Sequence, residues 1–110
     1  MRVTDAQIEF ALDLFAGLGP LTTRKMFGGL VIYSDGQIFA ALMSDGRLQL
    51  KGAGTVAEAF EAEGWARWTY SRDGSDKVTE MPYWVMPDDL LEDPEQACDW
   101  AQRALTALSI

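Results

Sequence analysis

Six consecutive residues combine side chains and backbone groups that could hold an anion: Arg24, Lys25, Met26, Phe27, Gly28 and Gly29. Two cationic side chains beside flexible glycine amides could form a small nest for a phosphate or a carboxylate. The spaced glycines and the Lys-Ser/Thr pair of a phosphate-binding loop are missing, so the run is not that motif. The alternative, which we favour, is structural: Met26 and Phe27 fill the core, and the glycines permit a bulge or close packing.

A second group of chemically interesting residues is acidic and surrounds the start of the last predicted helix: Asp88, Asp89, Glu92, Asp93 and Glu95. The alternating Asp/Asn ligands and the central glycine of a calcium loop are absent, so no metal site is predicted. Carboxylates near a helix start interact favourably with the helix dipole. The group is therefore interpreted as a solvated acidic surface, which would favour a basic protein partner.

Aromatic residues are concentrated in the second half of the chain, at Trp65, Trp68, Tyr70, Tyr83, Trp84 and Trp100. Most are expected to be core or strand-pair residues of a small sheet protein. Tyr83 and Trp84 are neighbours in a predicted strand and should point to opposite faces of the sheet. If one of them is exposed beside the acidic residues, it would be a contact residue for a partner.

Two residue counts exclude whole classes of catalytic site. The chain contains no histidine, which removes Ser-His-Asp and Cys-His sites, histidine proton shuttles and the usual zinc sites. Its one cysteine, Cys98, cannot form an internal disulfide, and the adjacent Asp99 disfavours a reactive thiolate. No spacing links a serine, tyrosine or lysine to a base, so we predict neither a catalytic site nor a cofactor.

The length of 110 residues is sufficient for one domain, residues 1–110. The net charge of −8 is uneven, because residues 1–51 contain five basic and five acidic groups whereas residues 52–110 contain four and twelve. A surface for duplex DNA or RNA must neutralise phosphates, so direct duplex binding is not expected. The sequence shows neither a membrane span nor a secretion signal, which together predict a cytoplasmic protein.

Three helices are predicted from capping residues and apolar spacing. Thr4 with Gln7 forms a capping box that begins the first helix, and Thr55 with Glu58 forms a second capping box for a short middle helix. The last helix begins with the cap Asp93 and a proline at the first helical position. Its inward stripe has helical spacing: Ala97, Trp100, Ala101, Ala104, Leu105 and Leu108.

Five strands are predicted, at residues 30–34, 37–43, 47–51, 67–71 and 78–86. The first three form an antiparallel meander because Asp-Gly pairs separate them, and this dipeptide favours turns in which both central residues have positive φ. Pro82 lacks a backbone donor, so it is expected at an edge or a bulge. The predicted fold is α+β in the order α-β-β-β-α-β-β-α, with the helices packed on one face of an antiparallel sheet.

These residues resemble the N-terminal domain of the TfoX/Sxy family from about residue 5 to residue 108. In the first half, the match consists of the run at residues 24–29, Tyr33, the two Asp-Gly turns, residues 39–40, Leu48 and residues 50–51. In the second half, it consists of Tyr70, Lys77, residues 81–83, Pro87, residues 91–93 and residues 100–101. The run at residues 24–29 is the most specific part of the match.

The resemblance implies a two-layer α+β domain similar in fold to small secretion chaperones, some of which dimerise. Longer family members are bacterial regulators of natural competence, which act with a cyclic-AMP-responsive transcription factor and carry a second, helical domain. The chain ends at Ile110, directly after the last predicted helix, so we expect a stand-alone member of the family. The family defines no catalytic residues, and none is assigned.

Three functional hypotheses follow. The leading one is a non-enzymatic protein-interaction module, a regulator or adaptor whose partner is a transcription factor or another part of the transcription machinery; a homodimer is left open. Its candidate contact residues are those at 24–29 together with Tyr83 and Trp84. The second is a small anionic-ligand binder, or an enzyme, that uses Arg24 and Lys25. The third, disfavoured by the net charge, is nucleic-acid contact through a basic strip formed by Arg24, Lys25, Arg47 and Lys51.

Overall fold

The chain folds into two layers, a six-stranded sheet and a set of helices on one side of it. In the computed structural model, residues 3–26, 28–71 and 78–108 are described, apart from the side chains of Tyr70 and Ser71. The elements are α1 (Asp5–Leu14), a short 3₁₀ turn (Ala16–Leu18), β1 (Leu21–Met26), β2 (Gly29–Ser34), β3 (Gln37–Leu42), β4 (Leu48–Lys51), α2 (Gly54–Ala62), β5 (Arg67–Ser71), β6 (Val78–Val85), α3 (Asp88–Leu91) and α4 (Pro94–Leu108).

The sheet has the strand order β1-β2-β3-β4-β6-β5, and every neighbouring pair is antiparallel. Strands β2, β3 and β4 form the predicted meander. The chain then crosses through α2 and returns as the hairpin of β5 and β6, with β6 next to β4. The α+β class, with an antiparallel sheet and helices on one face, is confirmed. Within the described residues, no helix has the length and apolar character needed to cross a bilayer.

The structure adds a strand that the sequence did not predict. Residues 21–26 form β1, which pairs with β2 along its whole length, from Leu21 opposite Ser34 to Met26 opposite Gly29. Four of its six residues are exposed because it is an edge strand, so the alternation of apolar and polar residues that marks a half-buried strand is absent. The basic run therefore begins inside a strand and not in a turn that leads into the sheet. The short helix α3 was also not predicted.

The two Asp-Gly hairpins are present, but their turns differ. Asp35 and Gly36 both have positive φ, at 51° and 81°, as the dipeptide predicts. At the second turn Gly46 has a φ of 90°, whereas Asp45 does not have a positive φ. The expectation that both residues have positive φ is thus wrong here, because this connection is longer. The Met43 amide donates a hydrogen bond to the Arg47 carbonyl, and the Arg47 amide donates to the Asp45 carboxylate, both at 2.9 Å.

Two of the three predicted helix caps are confirmed. The Thr4 hydroxyl accepts the Gln7 amide at 3.1 Å, and the Gln7 side chain accepts the Thr4 amide at 2.9 Å. Asp93 accepts the Gln96 amide at 3.2 Å, which caps α4. The second capping box is wrong, since α2 begins at Gly54 and no side chain caps it. Gly54 has a φ of 55° and turns the chain into the helix one residue early, so Thr55 lies within the first turn.

Pro82 lies in β6, a strand with neighbours on both sides. The pairing with β5 shifts between Arg67 and Thr69, so β6 bulges outward near the proline, as predicted. The Arg67 side chain supports this bulge because its Nε donates to the Met81 carbonyl at 2.9 Å. Pro82 therefore lies at a bulge inside the sheet, one of the positions where a residue without a backbone N–H is found.

The main core lies between the sheet and helices α1, α2 and α4. Helix α4 presents its predicted stripe to the sheet: Ala97, Ala101, Ala104 and Leu105 are buried, and Trp100 and Leu108 are partly buried. At one end of this core, Phe60 is the centre of an aromatic cluster. Its ring stacks on Trp65 at 4.5 Å and lies 5.6 Å from both Trp84 and Trp100. This cluster joins α2, β6 and α4.

The other side of the sheet carries a second, smaller apolar cluster, which we call the open sheet face: Met26, Val31, Tyr33, Ile38, Ala41, Met43, Trp68, Met81 and Tyr83. Every member lies on a strand or directly after one, and no described helix contributes to it. The members come from both edges of the sheet. The cluster therefore extends across the sheet from β1 to β5, through contacts between side chains of nearby strands.

The aromatic cluster predicts a large loss of stability when Phe60 is truncated. Phe60 is fully buried, and truncation leaves a cavity between three aromatic rings. We expect Phe60→Ala to lower the free energy of unfolding by about 3–5 kcal/mol and Phe60→Leu by about 1–3 kcal/mol, measured by urea unfolding followed by tryptophan fluorescence. Phe10→Ala is the matched control, because Phe10 is 49% exposed. Equal losses for the two Ala variants would contradict this role.

Candidate functional site

The two basic side chains of the predicted anion nest point away from each other. Arg24 and Lys25 are both exposed, and they are successive residues of β1. Arg24 lies opposite Val31 of the open sheet face, and Lys25 lies opposite Leu30 of the main core. Directly opposed residues share a face of the sheet, so the two cations belong to different sides. They therefore do not converge on one anion. Phe27, also predicted for this site, lies outside the described residues.

A groove of about 270 Å³ lies next to this run, but its lining is mostly apolar: Val3, Ile8, Lys25, Met26, Gly28, Gly29 and Leu30. Gly28 has a φ of 75° in the turn between β1 and β2, a conformation that disfavours other residues. A Cβ atom on Gly29 would collide with the Leu42 carbonyl oxygen of the neighbouring strand. Both glycines are thus required by the backbone, which favours the structural interpretation of this run.

Tyr83 and Trp84 lie on opposite faces of the sheet, as predicted, yet neither is exposed. Tyr83 is 4% exposed on the open sheet face and meets Trp68 edge-on, and Trp84 is 2% exposed in the main core. The guanidinium of Arg67 lies 4.6 Å from the centre of the Trp84 ring, and the Trp84 Nε1 donates to Glu61 at 3.3 Å. The expected exposed aromatic is therefore not at residues 83–84.

The structure exposes a different aromatic residue, Phe10 of α1, at 49%. It lies at a groove of about 210 Å³ whose lining is apolar apart from one amide side chain: Ala6, Gln7, Phe10, Leu42, Gly46, Leu48 and Leu91. Sequence reasoning missed Phe10 because it was looked for among the aromatics of the second half. The signal that could have found it was its position on the helix. The inward stripe at the start of the chain has helical spacing, Ile8, Ala11, Leu12 and Phe15, and Phe10 is not part of it.

Acidic side chains surround this aromatic residue and extend over the helical layer. Twelve lie on or next to the four helices, and eleven of them are exposed: Asp5, Glu9, Asp13, Glu58, Glu61, Glu63, Asp88, Asp89, Glu92, Glu95 and Asp99, with Asp93 half-buried. The one described basic residue within these helices is Arg103, which lies 4.3 Å above the Trp100 ring. The solvent side of the helical layer is therefore strongly negative.

Neither the acidic group nor the cysteine shows the geometry of a reactive centre in the described part of the chain. No three Asp, Glu or Cys residues there lie close enough together to hold a metal ion. The Cys98 thiol donates to the Leu14 carbonyl at 3.4 Å, and its sulfur packs near Gly17. Cys98 thus joins α4 to the end of α1.

The collision at Gly29 provides a test of the structural interpretation. We expect Gly29→Ala to lower the free energy of unfolding by about 1–3 kcal/mol, because β2 and β3 would have to separate locally. Thr23→Ala is the control, since Thr23 is an exposed residue of the adjacent edge strand. Thermal and urea unfolding measure both. A neutral Gly29→Ala variant would show that the glycine is not needed for packing.

Among the described residues, the group whose pKa is clearly shifted lies on the open sheet face. Burial raises the pKa of Tyr83 above its ordinary value of 10.0, and the negative charge of ionised Tyr33 raises it further. The folded pKa thus exceeds the unfolded pKa, so neutral Tyr83 stabilises the fold below about pH 10, and this contribution is lost as pH rises through the folded pKa.

We therefore expect the free energy of unfolding to fall more steeply above about pH 10 in the natural chain than in Tyr83→Phe. Urea unfolding at a series of alkaline pH values measures the two slopes. Identical slopes would show that Tyr83 ionises as readily in the folded chain as in the unfolded chain.

Comparison with known proteins gives one assignment. A search of the curated proteins found no match. The family model described as the TfoX N-terminal domain matches residues 13–108, which include every strand and helices α2, α3 and α4. The match also spans the run at residues 24–29 and both Asp-Gly turns. This chain, with its antiparallel sheet covered by helices on one face, belongs to the TfoX N-terminal domain family.

Proposed function

We propose that this protein is a non-enzymatic protein-interaction module, a TfoX-like regulator or adaptor that acts in the cytoplasm. Its partner is a protein with a basic surface, of the kind found among transcription factors and other parts of the transcription machinery. Family membership supports the regulatory part of this proposal. The acidic helical layer supports the basic character of the partner.

The observation that carries the proposal is the exposed Phe10 at the edge of an apolar groove. A single exposed apolar residue is common on protein surfaces, and Phe10 is informative because it lies at an apolar groove with a polar rim. Ala6, one helical turn earlier, and Leu91 of α3 line the same groove. Interface hot spots combine such an aromatic anchor with an apolar pocket and a polar rim.

The rim of this groove defines the charge of the partner. Glu9 precedes Phe10, and Asp13 follows it by three residues, which places Asp13 on the same side of the helix. On α3, Glu92 follows the groove residue Leu91, and Asp88 and Asp89 are exposed. A negative rim around an apolar anchor attracts a basic surface, repels acidic ones and speeds the encounter.

The hypothesis of a small anionic-ligand binder or enzyme is less favoured. It needs Arg24 and Lys25 to face one ligand, and these side chains lie on opposite faces of β1. We therefore keep the protein-interaction proposal as the one to test.

The test is affinity capture from the source cell with the natural chain and two single-residue variants. Phe10→Ala removes the anchor, and Val78→Ala is the matched control, because Val78 is an exposed apolar residue of β6 on the other layer. We expect a partner with a basic surface to be retained by Val78→Ala and lost with Phe10→Ala. With the purified partner, Phe10→Ala should weaken the affinity about tenfold or more.

A salt series tests the electrostatic part separately. If Glu9 and Asp13 attract the partner, the double variant Glu9→Gln, Asp13→Asn should bind more slowly and lose part of the salt dependence of the association rate. Recovery of no stable partner, or of one that binds Phe10→Ala as tightly as the natural chain, would contradict the proposal. Turnover of a metabolite by the purified protein, abolished by a single substitution, would replace it with an enzymatic function.

A further inference from the structure

The open sheet face is apolar, and no described helix covers it. Val31 and Ala41 are buried, whereas most of the other members, including Ile38 and Trp68, are only half-buried. The helices, by contrast, all pack against the other face. An apolar face that no described helix covers can offer its side chains to a binding partner.

Three methionines lie on this face: Met26 of β1, Met43 after β3 and Met81 of β6. All three are half-buried. Methionine side chains are unbranched and polarizable, so they repack at low cost against differently shaped apolar groups. Surfaces rich in methionine are used in this way to bind varied apolar peptide segments.

The charges on this face are basic. Arg24 lies opposite Val31, and Lys51 lies opposite Tyr83, so both side chains project from the same face as those two members. The one acidic residue within the described strands is Glu80, whose carboxylate lies 3.9 Å from the Arg67 guanidinium. Arg67 itself lies over the Trp84 ring, on the helical side of the sheet. The open sheet face therefore has the opposite charge to the helical layer.

A polar atom without a partner lies in the middle of the same face. Gln49 of β4 is opposite Ala41 on one side and Val85 on the other, and it is 3% exposed. Its Oε1 is buried and, in the described part of the chain, has no hydrogen-bond donor. A buried acceptor of this kind is costly, and a donor that arrives with a partner would satisfy it.

We propose that the open sheet face binds a segment of another protein that carries apolar and acidic side chains. The apolar side chains replace the methionines over Val31 and Ala41, the acidic side chains pair with Arg24 and Lys51, and a backbone N–H of the segment donates to Gln49. This site is distinct from the acidic groove at Phe10 and takes a partner of the opposite charge.

Two other occupants are less favoured by the same observations. A second copy that used this face symmetrically would bring the basic residues of both copies together, which is unfavourable. Single-stranded nucleic acid would need a positively charged groove that follows its backbone. The described strands contribute Arg24 and Lys51 to this face, and the protein as a whole has a net charge of −8. Both occupants are outcomes of the experiment below.

The experiment selects peptides from a random twelve-residue phage library against the intact chain. We expect the selected peptides to be enriched in apolar and acidic residues, and hydrogen exchange with a selected peptide to protect the strands more than α1 and α3. The strongest selected peptide then serves as the fluorescent probe for the variants. Enrichment of basic peptides, or protection confined to the helices, would overturn the proposal.

Adjacent residues provide the matched pair of variants. Arg24→Glu and Lys25→Glu make the same charge change at neighbouring exposed positions on opposite faces of β1. We expect Arg24→Glu and Lys51→Glu each to weaken the peptide about tenfold, and Lys25→Glu to change the affinity less than about threefold. Equal effects at Arg24 and Lys25 would show a general charge effect and contradict a site on this face.

Gln49→Leu separates binding from folding. It removes the unpartnered acceptor, so the unfolding midpoint should not fall, while the peptide should bind about threefold or more weakly. Unchanged affinity would contradict the role of Gln49. A dimeric mass in solution that Arg24→Glu abolishes, or tighter binding of a twelve-residue oligothymidylate than of the peptide, would overturn the choice of occupant. None of these results depends on the Phe10 groove, so the proposal for the open sheet face and the proposed function are tested independently of each other.

Discussion

The structure depends on one constraint: a six-stranded sheet has two faces, and the described helices cover only one of them. Helix α4 can lie close to the sheet because its inward stripe is largely alanine, with Ala97, Ala101 and Ala104 fully buried. The aromatic cluster around Phe60 then closes the end of this core, where α2 and β6 meet α4. Most of the burial in the described part of the chain follows from this one-sided packing, since most of the large buried side chains lie on the helical side.

On the open sheet face, the described residues that bury one another lie on the strands or directly after one. Side chains from both edge strands and from strands between them form one cluster, which buries Val31 and Tyr83 with no described helix above them. This solution is incomplete, because Gln49 keeps a buried acceptor without a donor in the described part of the chain. The flexible methionines at Met26, Met43 and Met81 fill the remaining space, and they are the residues that adapt most easily to a new neighbour.

One-sided packing also separates the charges. The exposed sides of the helices carry mostly acidic charged side chains, and the strands contribute basic side chains, such as Arg24 and Lys51, to the other side. A module with two faces of opposite charge and different apolar anchors is suited to hold two unlike partners at once, as an adaptor does. In the proposals above, the groove at Phe10 binds a basic partner and the open sheet face binds an apolar and acidic segment.

Local interactions were predictable from the sequence. The capping box at Thr4, the cap at Asp93 and the hairpin at Asp35 and Gly36 depend on neighbours within a few residues, and the family resemblance was carried by such local signals. Features that depend on distant contacts were not predictable. Strand β1 exists because β2 pairs with it, and Phe10 is exposed because of the direction in which α1 packs. The sequence by itself determined the fold class and the family. Only the tertiary structure decided that Arg24 and Lys25 lie on opposite faces and that Tyr83 and Trp84 are both buried. Those outcomes depend on strand pairing and on packing between residues that are far apart in the sequence.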